Sequence, residues 1–100
     1  MLLNLWLALV LGASPEPMPV QWIGPADYPA VLMSEGKEGI VDFQLTFNPE
    51  GLVTVCRIQK SSGVVLLDVM TCRLSSRRAR ASEGQARVQT SRQAWKLPTA

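Results

Sequence analysis

The 100 residues contain no histidine. That removes the commonest general base, the commonest metal ligand and the partner a serine nucleophile needs. Few side chains remain that could do chemistry. Cys56 and Cys72 are the two thiols, and they lack the C-x2-C spacing of a zinc site. Ser61-Ser62-Gly63 lacks the G-x-S-x-G context of a nucleophile elbow. Asp68 and Glu83 are isolated carboxylates, and Asp68 near a helix start reads as a dipole partner. The inventory points away from an enzyme, a cofactor, a metal or a small-molecule substrate.

The net charge of +2 conceals a polarity. Residues 1–50 carry one basic and six acidic side chains, and residues 51–100 carry nine basic and two acidic ones. The cations peak at Arg73, Arg77, Arg78 and Arg80. Binding to nucleic acid would need stacking aromatics interleaved with them, and only Trp95 lies in that half. The patch reads as a solvated helix end whose cations suit the C-terminal dipole, so no nucleic-acid partner is expected.

A core of this size is marginal without reinforcement. The first 13 residues, MLLNLWLALVLGA, form an apolar run too short for a bilayer, which takes about 20 residues. They fit a secretory signal despite lacking a basic start. The expected layout is a signal peptide over residues 1–13, a Pro-rich linker over 14–24 and one domain over 25–98. Export across a membrane follows from this, with a buried N-terminal helix, a misplaced start or a retained membrane anchor as the alternatives. In an exported chain an even cysteine count suggests a disulfide between Cys56 and Cys72, and two buried free thiols are the alternative. Such a bridge would contribute on the order of 3 kcal/mol.

The elements that must position these residues follow from periodicity. A short helix from about Pro29 to Glu35 offers Ala30, Leu32 and Met33 for packing, with Gly36 as its stop. Val41, Phe43, Leu45 and Phe47 alternate with polar residues and predict a half-buried strand. Asn48-Pro49-Glu50-Gly51 predicts a turn in which Gly51 takes positive φ. A second strand, about Leu52 to Lys60, changes phase, which predicts a bulge near Thr54. Val64, Leu67, Met70, Thr71 and Leu74 recur at helical spacing and predict an amphipathic helix to about Arg78. A weak last strand spans about Arg87 to Leu97. The expected fold is α+β: a three-stranded antiparallel sheet made of a hairpin, a helix and an edge strand, with helices on one face. The last strand is expected beside the first, leaving the second and last strands as edges.

The pattern resembles the C-terminal domain of TonB-family proteins. The residues carrying the resemblance are Tyr28-Pro29, Gly36, Gly39, Val41-x-Phe43, Asn48-Pro49-Glu50-Gly51 and Ser61-Ser62-Gly63. Leu67-Asp68, Thr71-Cys72-Arg73-Leu74, Arg78-Ala79-Arg80 and Trp95-Lys96-Leu97-Pro98 complete the set. The resemblance implies a periplasmic domain of Gram-negative bacteria that couples an inner-membrane motor to outer-membrane transporters. It also implies capture of a short transporter peptide along the last strand. The partner-binding residues would then be Val88, Thr90, Arg92, Ala94 and Lys96, and the partner an outer-membrane transporter or another envelope protein. An accessory or structural envelope domain without energy coupling is the alternative. Two departures stand out. Ala81-Ser82-Glu83-Gly84 replaces the family's aromatic and Pro-Ala sequence. Thr90, Ser91 and Gln93 dilute the inward face of the last strand, which predicts that it frays.

Overall fold

The computed structural model describes residues 16–98, so the expected signal peptide lies outside the described residues. The elements are β1 (Met18–Pro19), a 3-10 turn (Pro25–Asp27), α1 (Ala30–Ser34), β2 (Gly39–Phe47), β3 (Val53–Lys60), α2 (Val65–Arg78) and β4 (Arg87–Trp95). Among the described residues four strands form one sheet in the order β1-β4-β2-β3. The expected hairpin, helix and last strand are all present, and β4 runs antiparallel beside β2. The expected count of three strands is corrected to four by β1, which pairs parallel with β4.

The alternation of β2 sets the core. Val41, Phe43, Leu45 and Phe47 are fully or almost fully buried, and they share the face that α2 covers with Leu67, Thr71, Leu74 and Ser75. Polar partners alternate on the other face, as a half-solvated antiparallel sheet requires. The phase change in β3 is a bulge: Thr46 pairs with Val55 and Phe47 with Val53, so Thr54 is skipped. A second shift skips Gln59 between the partners of Asp42 and Phe43. In α1 only Leu32 packs inward, while Ala30 and Met33 are exposed.

The turn after β2 holds the connection at residues 81–84 in place. The Asn48 side chain accepts hydrogen bonds from the N–H groups of Glu50 and Leu52. Gly51 has φ +83°, and a Cβ there would lie 2.1 Å from the Ala81 carbonyl oxygen. The Ala81 N–H donates to the Gly51 carbonyl, and the Gly84 N–H to that of Pro49. The connection is therefore fastened to the hairpin by its backbone.

Expected fraying of the last strand is also corrected. β4 pairs with β2 through nine consecutive residues, from Gly39–Trp95 to Phe47–Arg87. Its polar inward residues do not weaken this ladder, because their groups find partners. Ser91 is fully buried and accepts a hydrogen bond from the Gln89 amide at 3.3 Å, while the Gln93 amide donates to the Ala94 carbonyl at 3.2 Å.

Three fasteners join the layers. Cys56 and Cys72 form a disulfide linking β3 to α2, with Cα atoms 5.7 Å apart. The Trp95 indole N–H donates to the Thr71 hydroxyl at 2.9 Å, and that hydroxyl donates to the Leu67 carbonyl at 2.7 Å. Tyr28 stands edge-on to Trp95, with ring centroids 5.5 Å apart, and its hydroxyl donates to the Lys37 carbonyl. Thr71→Val keeps the shape but leaves the buried indole N–H without an acceptor. The expected loss is about 1–3 kcal/mol, measured by urea unfolding. The Cys56→Ser/Cys72→Ser double variant should lose about 3 kcal/mol in the same assay. Unchanged midpoints would contradict both assignments.

Candidate functional site

β4 has two sides, and the alternation of a strand separates them. The Val20 N–H donates to the Arg92 carbonyl at 3.0 Å, so the backbone of Arg92 faces away from β2. By alternation the backbone groups of Val88, Thr90, Ala94 and Lys96 face the same way. Those of Ser91, Gln93 and Trp95 bond to β2. The five residues expected to meet a partner therefore share one outer edge, with their side chains on the solvent face of the sheet. Val88, Arg92, Ala94 and Lys96 are exposed, and Thr90 is half-buried.

That edge is not fully open, which corrects the expectation of an unpaired last strand. Met18 sits opposite Ser91, and Pro19 opposite Arg92. Beyond Arg92 the chain turns away, and a groove of about 250 Å³ opens between Ala94 and Trp95 on one side and Ile23, Pro25, Tyr28 and Met33 on the other. The stretch read as a linker over residues 14–24 thus contributes a strand. Its Val20, Trp22 and Ile23 also pack against the core.

Trp22, which no sequence pattern places, anchors this segment. Its indole N–H donates to the Ser75 hydroxyl at 2.9 Å, and Ser75 is fully buried on α2. Arg78 completes the clasp. Its guanidinium pairs with both oxygens of Asp27, at 2.8 and 3.0 Å, and also donates to the Trp22 carbonyl at 3.0 Å. The basic cluster at the end of α2 is thereby partly committed to the fold. No local sequence signal links residues this far apart.

Arg92 is committed as well. Its guanidinium meets Asp42 in a two-point pair, at 2.6 and 2.9 Å. The hydrogen bond from Arg92 holds the Asp42 carboxyl below its ordinary range, against the upward push of burial. Asp68 has a wider role than dipole partner. It accepts from the Ser62 N–H at 3.0 Å, the Ser62 hydroxyl at 2.7 Å and the Ser61 hydroxyl. Burial pushes its carboxyl upward, but these hydrogen bonds outweigh it and hold the carboxyl low. Among the described residues no group of three cysteine, aspartate and glutamate side chains is placed to hold a metal.

The family model of the Gram-negative bacterial TonB protein C-terminal domain matches residues 25–97. The chain belongs to this family. Two solved structures share its fold. The solution structure of the Pseudomonas aeruginosa TonB C-terminal domain superposes with a TM-score of 0.64 at 21% identity, covering 81% of this chain and 86% of that one. The Helicobacter pylori TonB C-terminal domain gives 0.58 at 22% identity, over 73% and 70%. No curated protein matches the sequence. TonB C-terminal domains are periplasmic binding modules involved in outer-membrane transport. No helix among the described residues is long and apolar enough to cross a membrane.

The depressed carboxyls set an acid limit on stability. Asp27 is held low by its hydrogen bond from Arg78, and Asp42 and Asp68 are low for the reasons above. Each contributes stability that is present above the unfolded carboxylate pKa of about 3.9 and lost as pH falls through the lower folded value. The thermal midpoint should be flat from about pH 5 to 8 and fall below about pH 4. Asp68→Asn should lower the neutral-pH midpoint and make the acid fall shallower. Parallel pH curves for parent and variant would contradict this.

Proposed function

We propose that this domain works in the periplasm, after removal of residues 1–13, and docks an extended segment of an outer-membrane transporter along the outer edge of β4. The observation that carries this reading is the asymmetry of β4. All nine residues pair with β2 on one side, whereas β1 covers only two positions on the other. A long strand held rigid by its inner neighbour offers an incoming segment a ready row of donors and acceptors. Backbone hydrogen bonds would supply affinity. The groove beside Ala94 would take an apolar side chain, and Arg87 and Lys96 would add a salt-sensitive attraction for acidic residues.

The alternative is an accessory envelope domain that keeps the fold and couples no energy. The pairing of β1 with β4 favours it, because that edge is then closed by the chain itself. Capture of partners from envelope extract by the mature domain separates the two readings, and a recovered outer-membrane transporter supports the first.

The edge can then be probed one position at a time. Ala94→Pro removes an outward donor beyond β1, and proline is tolerated on an edge. It should leave the fold intact and weaken binding of the recovered transporter about three- to tenfold, the worth of one backbone hydrogen bond. Ser91→Pro or Gln93→Pro should unfold the domain, since each breaks the ladder to β2. A folded Ala94→Pro variant that binds as tightly as the parent would remove β4 as the docking edge.

A further inference from the structure

We infer that residues 17–20 form a built-in, displaceable cover strand that holds the outer edge of β4 closed until a partner strand replaces it. This rests on the docking edge proposed above and adds its regulation.

The segment is built to pair on one side only. The Val20 N–H faces β4, so Met18 faces it too, and Pro17 and Pro19 face away. The two residues without an N–H therefore lie on the solvent side of β1, where a further strand would seek a donor. β1 thus occupies the edge and passes no edge on. The prolines keep the segment extended, which lowers the entropic cost of docking it.

It is also built to leave. The paired strand is two residues long, Met18 and Pro19 are exposed, and one concavity opens at the seam, lined by Val20 and Ile23 from the segment and Arg92 and Ala94 from β4. The clasp of Trp22 on Ser75 and Arg78 on Asp27 lies just after the strand. It keeps the segment near β4 at high effective concentration without adding contacts to the strand itself. A partner strand would take over the same outward groups of Thr90 and Arg92 and continue to Ala94, where β1 stops. Its longer register makes replacement favourable. The closed fraction lowers apparent affinity in proportion to how rarely the edge is free.

Amide hydrogen exchange tests the cover without any partner. The Arg92 amide lies beneath β1, and the Gln93 amide bonds to β2. In the parent, Arg92 should exchange at least tenfold faster than Gln93, through local opening. Val20→Pro removes the donor to Arg92, and Arg78→Ala releases the clasp from an exposed position. Each should speed Arg92 about three- to tenfold and leave Gln93 unchanged. Equal exchange at both amides in the parent, or a rise at both in the variants, would overturn the inference, because β1 would then open only with the whole domain.

Titration with the synthetic hexapeptide Glu-Val-Thr-Val-Thr-Val tests the gate. The Arg78→Ala variant should bind it about three- to tenfold more tightly than the parent. A Pro19→Cys/Arg92→Cys cross-linked variant should not bind it. Equal binding by all three overturns the gate. Fast Arg92 exchange with no peptide binding to any of them leaves the cover standing and sinks the docking edge instead.

Discussion

The structure depends on one strand being paired on both sides. β2 lies between β4 and β3, and its odd-numbered residues from Val41 to Phe47 form the floor of the core. Its backbone alternates between its neighbours. Odd residues bond to β4, as Val41 does with Gln93, and even residues turn to β3. Because side-chain and backbone alternation are locked together, burying the odd side chains fixes which residues of β4 turn their backbone groups to β2. That is why the exposed side chains of Val88, Arg92 and Ala94 belong to the residues whose backbone groups face outward.

A core this small cannot hold its layers by area alone. The fold compensates with few, well-placed polar fasteners. Trp95 closes the end of β4 on Thr71, and the Cys56–Cys72 bridge ties the outer strand β3 to α2. Trp22 and Arg78 hold the N-terminal segment against the same helix. Each buried polar group in this set has a partner, as a low-dielectric interior demands.

Local periodicity made much of this legible. The alternation of β2, the Asn48–Gly51 turn, the bulge at Thr54 and the buried face of α2 are all short-range patterns, and each stands where the sequence predicts it. What the sequence hid was long-range. The Pro15, Pro17 and Pro19 alternation reads as an unpaired linker, because proline removes donors. It does not reveal that Met18 and Val20 keep theirs and face one side. Ser91 and Gln93 read as dilution of a core face, because composition does not show that their polar groups find partners. Trp22 had no periodic context, and its acceptor Ser75 lies more than 50 residues away.

The edges of the sheet show how pairing and exclusion are balanced. β3 is the far edge, and it is interrupted by two register shifts and carries Arg57 and Lys60. Bulges and cations of this kind discourage another strand from adding. β4 lacks the bulges, since its ladder with β2 is unbroken over nine residues, and of its two arginines Arg92 is paired with Asp42. Left bare, it would be the more adhesive edge. A two-residue strand that contains one outward proline and follows another is the least cover that closes it without creating a new edge beyond. The same economy explains the clasp at Trp22 and Arg78. A cover with so few hydrogen bonds of its own stays in place only if the following residues are held, and those residues sit on α2 rather than on the edge.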